Sequence, residues 1–514
     1  MQSQDNKISI NALYLYLRMF FSLLVGLYTS RVILANLGVD DFGVYNIVGG
    51  IVSMMTFLNS SMSGATSRFL AYYLGMGVQE KISRCFTSAF QIHLCIGLLL
   101  LLSGETVGLW FVNTQLVIDP AKMVAANYVY QFSLLSAFVA IIKVPYTANV
   151  ISNEKMNHYA LLEILYVFLK LGVALLIPLF VEKLIFYAFL LLVSDIVIFS
   201  CYCLYSHRNY AYCKIQRGFD REMVVSMMCF SVHDLFGNGT FTARQIGTNV
   251  LINRFFGVAL NAASGIATQV GGVVSTFVRS AQNAFSPQII KSYAVSDYAL
   301  LQHLMRMECK ISILLASVFF TPLFLNIDFI MQLWLKTVPA YAQVFCQFIL
   351  ISNFFSVINN ILITVIHATG KIKGLSYTSG LLNLLCLLGV YVFFRLGFDA
   401  EYAYVALPLC VGLQTVTNVI IVKRLVVAIQ IRHFVVICLK MIFIALCSLA
   451  LTLLLTHRME SPWLVLGSSV VLNTLFLSLL VYASDRSLRK IVKARVGKIA
   501  SIIMREISSR NQLD

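Results

Sequence analysis

Fourteen runs of about twenty or more mostly apolar residues follow one another along this chain, joined by connectors too short to fold alone. They fall at 9–34, 42–69, 85–112, 123–152, 158–180, 184–206, 222–254, 258–290, 307–326, 340–368, 374–394, 402–423, 434–456 and 462–483. Only a bilayer asks for that spacing, because in lipid each backbone group must be satisfied within its own helix. With 59% hydrophobic and 12% charged residues, the chain is no soluble core. The expected fold class is therefore an all-α polytopic membrane protein of about 14 transmembrane helices. The N-terminal MQSQDNKISIN is short and polar and the first run continues to full length, so it is expected to stay as an anchor.

Charge supplies the orientation. The formal net charge of +16 would point to nucleic acid in a soluble protein, but here the positive-inside rule accounts for it and no nucleic acid is expected. With the N-terminus inside, 25 Lys and Arg fall on the cytoplasmic side, six opposite and seven within spans. Both termini are thus expected in the cytoplasm. The longest connector, 207–221, leaves no room for a catalytic domain, and no GxxxxGK[ST] loop is present, so the chain reads as a transporter and not an enzyme. The twelve cysteines are scattered through apolar runs and read as small core residues, with no metal site and no cofactor. The tail spaces Leu488, Val492, Val496, Ile499 and Ile503 among basic residues, as an amphipathic helix on the inner leaflet would.

The chain repeats. Gly49-Gly50-Ile51-Val52-Ser53 returns as Gly271-Gly272-Val273-Val274-Ser275, Leu109-Trp110-Phe111 as Leu333-Trp334-Leu335, and Gln131-Phe132 as Gln347-Phe348. Spans 1–6 and 7–12 are therefore expected to be two copies of one unit. An even number of spans per copy makes the repeat parallel, about an axis along the membrane normal, with a central cavity between lobes that rock. The organisation follows: an N-terminal lobe at 1–206, a basic linker at 207–221, a C-terminal lobe at 222–430, two further helices at 431–484 and the tail at 485–514.

Polar stripes run through the membrane in both copies. Span 2 aligns Asn46, Gly50, Ser53, Phe57, Ser60, Ser61, Gly64, Ser67 and Arg68, and span 8 aligns Asn261, Gly265, Gln269, Gly272, Thr276, Arg279, Ser280 and Asn283, each within about a third of the helix circumference. Small and hydroxyl residues also allow close helix packing, so the stripes admit both a cavity wall and a packing face. The seven intramembrane cations, Arg18, Arg31, Arg68, Lys143, Lys170, Arg244 and Arg279, read as a ladder for an anionic head, with Arg68 and Arg279 taken as the repeat-related pair. They outnumber the acids Glu105, Glu163, Asp195 and Asp234. Asp195 and Asp234 are candidates for a coupling proton or sodium ion, or for pairing with Arg244 or Lys170. Span 7 is the most polar, and Gly237-Asn238-Gly239 reads either as a break that bends, with Gly237 and Gly239 the hinge, or as part of a helix buried on all sides.

Leu37-Gly38, Asp41-Phe42-Gly43-Val44-Tyr45-Asn46, Gly49-Gly50 and Ala65-Thr66-Ser67-Arg68-Phe69-Leu70 resemble the opening of bacterial polysaccharide transporters, the O-antigen (Wzx-type) and capsule flippases. These belong to the multidrug/oligosaccharidyl-lipid/polysaccharide exporter superfamily. The resemblance is most specific over residues 31–70 and extends as a pattern through spans 1–12. It implies two six-helix lobes in a V, alternating access and export of an undecaprenyl-diphosphate-linked oligosaccharide across the bacterial cytoplasmic membrane, a step of lipopolysaccharide or capsule biosynthesis. Its implied partners are the lipid-linked sugar, membrane lipids and polysaccharide polymerase machinery, with spans 13 and 14 forming a groove for the lipid tail. The same superfamily offers two alternatives, a lipid II-type flippase and a cation-coupled multidrug exporter. Span 1 lacks the acid that such drug exporters use and carries Arg18 and Arg31 instead.

Overall fold

A computed structural model describes residues 2–55, 57–114, 118–216, 218–335, 338–484 and 489. Its helices are α1 (Gln2–Met55), α2 (Phe57–Met76), α3 (Gln79–Ser103), α4 (Leu109–Thr114), α5 (Met123–Ser152), α6 (Met156–Leu176), α7 (Lys183–Asn209) and α8 (Arg221–Phe256). They continue with α9 (Val258–Ala294), α10 (Tyr298–Leu325), α11 (Ile327–Trp334), α12 (Ala342–Thr369), α13 (Lys373–Arg395), α14 (Tyr402–Leu425), α15 (Ile431–Thr456) and α16 (Pro462–Ser484). No strand occurs among the described residues. α1 turns at Gly38, so its second part and α2 together make the second span. All fourteen expected runs are helical; the tail, apart from Arg489, lies outside the described residues.

Eleven helices among the described residues are long and apolar enough to cross a membrane. The stretches that fall short are 39–76, α8 and α9, and these carry the polar stripes. Their polarity needs water or polar neighbours inside the bundle, and α8 and α9 meet that need along a cavity.

The repeat is visible in packing. In the first set α5 packs on α7, α1 on α6, α3 and α2 on α5, and α6 on α7. In the second, α12 packs on α14, α8 on α13, α10 and α9 on α12, and α13 on α14, the same pairs in the same order. Backbone geometry repeats as well. Gly38 (φ 81, ψ 171) and Gly257 (φ 86, ψ 177) make the first turn of each set, a conformation open to glycine because it has no Cβ. Gly77 and Ser296 end the second helix of each set in the left-handed region, and Glu154 and Gly370 end the fourth.

The apolar core is forked. One cluster spans both sets at the end bearing the 207–221 connector, joining Met62, Phe69 and Leu70 to Phe230, Phe285, Ile289 and Ile366. Towards the other end it divides into one cluster confined to the first set, around Tyr130, Leu134 and Ile177, and one confined to the second, around Ile252, Phe345 and Tyr404. The sets are thus joined at the basic end and have separate cores at the other, the V that the fold class requires. The connector itself is docked. The Tyr212 hydroxyl donates to Asn149 Oδ1 at 2.8 Å, and burial pushes the Cys213 thiol up to about 12.

α15 and α16 pack on each other and on α10. Buried Asn473 donates to the Ser317 carbonyl at 3.0 Å and accepts from Ser448 Oγ at 2.8 Å, while Asn326 Nδ2 donates to Ser469 Oγ at 3.0 Å. In an apolar solvent such amide contacts select one docking register for the extra pair.

Candidate functional site

The second helix set encloses a cavity of two adjoining compartments, about 240 and 450 Å³. Both are lined by Phe241, Arg244, Arg279, Gln282, Ser356, Asn360 and Val411. The lining among the described residues comes from α8, α9, α10, α12, α13 and α14 only. Together the compartments fall in the size range of ordinary ligand sites.

Polarity on α8 and α9 sets the chemistry. On α9 the stripe is exposed along its length, at Gly265, Gln269, Gly272, Thr276, Arg279 and Asn283, and Arg279 and Asn283 reach the larger compartment. Arg279 has no hydrogen-bond or ion-pair partner among the described residues. Arg244 is buried, and its Nε donates to Asn383 Oδ1 at 3.1 Å, an oxygen that also accepts from Gln414 Nε2 at 3.1 Å. Its guanidinium lies 5.1 Å from the Phe241 ring, with the Cys386 thiol beside it. The cavity acid is Asp234, whose two oxygens take His367 Nε2 at 3.6 Å and Asn238 Nδ2 at 2.9 Å. Amides fill the remaining wall, among them Asn249, Gln245 and Asn353 in one compartment and Asn359 in the other. Two guanidinium groups, one engaged acid and a lattice of amides can bind an anion and many hydroxyls.

The seven cations do not form one ladder. Arg18, Lys143 and Lys170 lie inside the first set, among tyrosines. Arg18 Nη1 donates to the Tyr159 hydroxyl at 3.1 Å, Lys170 sits 4.3 Å from the centre of the Tyr166 ring, and Lys143 lies 5.4 Å from it. The acids there are engaged too, Asp195 accepting from Tyr166 and Glu163 from Tyr202 at 3.1 Å. Asp195 and Asp234 therefore stand apart, one in each set. Arg31 is exposed, and among the described residues it has no partner.

Arg68 departs furthest from expectation. It is buried between the sets, donating from Nε to the His367 carbonyl at 3.0 Å and from Nη2 to the Ala368 carbonyl at 2.9 Å, so it caps the end of α12. Phe69 and Tyr72 stack on it at 4.6 and 4.8 Å. A Cβ at Gly370 would stand 2.7 Å from Arg68 Nη2, which explains the glycine there. Its counterpart is Lys291, whose Nζ donates to Glu154 Oε1 at 2.7 Å, with Gln288 Nε2 on the other oxygen at 3.1 Å. The pairing of Arg68 with Arg279 is thus corrected. The backbone turns that match Gly38 with Gly257 and Gly77 with Ser296 carry position 68 to 287, well away from Arg279, and Arg68 and Lys291 hold the basic end from opposite sides, one at the end of α12 and the other beyond the end of α5.

Two further expectations shift. α8 runs as regular helix through Gly237 and Gly239, so no break exists there in this state, and a Cβ at Gly237 would make ordinary contact with Ser376. The side chains of Asn46, Ser53 and Ser60 lie outside the described residues, so the span 2 stripe is traced only from Ser61. Asn383 and Gln414, which arrange the cavity charges, were missed by sequence reasoning, and His367 was read there only as a histidine within a span. Asn383 is a lone polar residue in an apolar run, and the partners of all three lie on other helices. Among the described residues no cluster suited to a metal ion occurs.

No family model matches the sequence, and none of the curated proteins does. Solved structures do. A point mutant of MATE superposes with a TM-score of 0.71 at 12% identity, covering 84% of this chain and 97% of that one. A transporter of the MOP superfamily from Pyrococcus furiosus, reported under the statement that reverse polarity of its binding pocket suggests a different function, superposes at 0.70 and 12% identity over 82% of this chain and 96% of that one. The outward-facing conformation of a multidrug resistance MATE family transporter of the MOP superfamily gives 0.69 and 12% over 84% and 96%. This chain is thus a multi-pass membrane protein with the MATE-like transporter fold.

Proposed function

We propose that the chain is a membrane exporter working by alternating access, and that the cavity of its second helix set takes an anionic, hydroxyl-rich amphiphile. The substrate class is a polyprenyl-diphosphate-linked oligosaccharide, a precursor of O-antigen, capsule or a related polysaccharide in the bacterial cytoplasmic membrane. The observation that carries this reading is the cavity's charge. Arg279 is unpartnered, Arg244 keeps its terminal nitrogens free of oxygen partners among the described residues, and Asp234 is already engaged. Guanidinium forks bind phosphate oxygens in pairs, and a low-dielectric wall strengthens them. Amide side chains match sugar hydroxyls in both donor and acceptor. For the Pyrococcus furiosus transporter of similar fold, reverse polarity of the binding pocket is stated to suggest a different function, a precedent for reading function from pocket charge on this fold.

A second reading, a cation-coupled multidrug exporter, is favoured by the fold itself, which the chain shares with MATE structures. Asp234 or Asp195 would then bind the coupling proton or sodium ion. The two readings part when the full-length protein in nanodiscs is titrated with undecaprenyl diphosphate and with ethidium, binding being read from thermal unfolding. We expect the diphosphate to stabilise the protein, and Arg279→Gln to weaken that binding by about tenfold or more, the loss of one charge-assisted contact. Stabilisation by ethidium and not by the diphosphate would overturn the anionic reading in favour of the second.

A further inference from the structure

The two compartments of the cavity lie end to end along the bundle. On α8 the larger is lined within 234–244 and the smaller within 241–249, while on α12 the smaller is lined within 349–360 and the larger within 356–367. Because α8 leaves the basic end and α12 returns to it, the larger compartment lies towards that end. The smaller lies towards the end where the cores part. Arg244 and Arg279 line both, so the two guanidinium groups stand at the junction.

The compartments differ in chemistry on either side of it. Of the residues confined to the larger, only Ile363 and Leu375 bring apolar side chains, against the amides of Asn238, Asn283, Asn359 and Gln414 and the hydroxyls of Ser286 and Thr364. The smaller has a continuous apolar wall on three helices that pack on one another, made by Val274 and Val278 of α9, Phe320 of α10 and Leu350, Phe354 and Val357 of α12. The Phe320 and Phe354 rings lie 5.7 Å apart in that wall, and Gln245, Thr248 and Asn249 of α8 complete the compartment.

We infer that the cargo lies across the junction in one direction, its sugars in the larger compartment and the first isoprene units of its lipid against the apolar wall of the smaller. This rests on the anionic reading proposed above. A sugar joined through a diphosphate to a prenyl chain is linear, with its charge in the middle, and the cavity has the same order. In this direction sugar hydroxyls meet amides and the chain buries its carbons against rings and branched side chains. The reverse would set hydroxyls against Phe320 and Phe354 and methylenes against the amides, leaving polar groups unpaired on both sides. The lipid therefore leaves the cavity towards the end where the sets part, and the sugars occupy the joined end.

Three probes on the full-length protein in nanodiscs test this, with affinity read from thermal unfolding against ligand concentration: inorganic diphosphate, farnesyl diphosphate, and a synthetic farnesyl diphosphate bearing one hexose. Phe320→Ala is expected to lower the affinity for farnesyl diphosphate about tenfold relative to inorganic diphosphate, the loss of one aromatic contact to the chain. Asn283→Leu, exposed on the stripe of α9, is expected to lower the affinity for the hexose-bearing probe about tenfold relative to plain farnesyl diphosphate. Unchanged ratios in both variants, or the two effects exchanged, would overturn the inference while diphosphate binding still upheld the anionic reading. If the unaltered protein binds none of the three, both fall together. Should Phe320→Ala not fold, Phe354→Ala on the neighbouring helix decides in its place, by the same ratio.

Discussion

In the first helix set three cations and two carboxylates are engaged by tyrosine hydroxyls and rings. In the second set, built from the same helix pairs in the same order, the polar groups border open space and one arginine is unpartnered among the described residues. The shared plan fixes where helices lie, and the side chains decide whether a set's charges are shielded or left beside open space. Tyrosine is the deciding residue type. Tyr166 and Tyr202 bring both the ring that shields a cation and the hydroxyl that satisfies an acid, and Tyr159 brings its ring and an accepting hydroxyl to Arg18. The second set answers with asparagine and glutamine, which bond to one another and leave volume unfilled.

The contrast is broken most severely at the clasps. Arg68→Ala would strand two buried carbonyls at the end of α12 and is expected to lower stability by roughly 3 kcal/mol, read as a fall in the thermal midpoint. Lys291→Ala, whose ammonium is partly exposed, should cost clearly less in the same measurement. A pair of substitutions sharpens the comparison between interiors. Tyr166→Phe removes the donor to Asp195 and should cost about 1–2 kcal/mol of stability while leaving diphosphate affinity unchanged. Asn383→Leu frees the Arg244 side chain and should do the opposite, weakening diphosphate binding by about tenfold with a smaller change in stability. Affinity lost in Tyr166→Phe would mean that the first set also takes part in binding. The smallest effect belongs to Gly237→Ala with Gly239→Ala. In regular helix with space for both methyls, the double variant should stabilise by about 0.5–1 kcal/mol, and slowed export with intact protein would restore the hinge.

Much of the architecture was legible because a bilayer makes hydropathy periodic and connectors short. The fourteen runs became helices within a few residues, the largest shift being the ninth, which starts at Tyr298 and not at 307. Even the failures of hydropathy were informative, since two of the polar stretches, α8 and α9, became cavity wall. The site was legible only as a set of charges. Which cation pairs with what depends on contacts between helices hundreds of residues apart, such as Arg68 with Ala368, and nothing local in the chain marks them. Arg18 and Arg279 look alike as arginines in apolar runs, and only the helix that faces each one separates a shielded charge from an available one.

The forked core also bears on biogenesis. Because the clusters merge at the basic end, neither helix set is a complete folding unit, and the first would leave the ribosome with Met62, Phe69 and Leu70 uncovered. The docked connector shortens that exposure. Tyr212 pins the chain to α5 just before α8 begins, and the Asp220 side chain caps the start of α8 by accepting from the Met223 amide at 3.0 Å. The second set is thus delivered at a fixed point beside the surface it must cover, and the order of synthesis becomes the order of assembly.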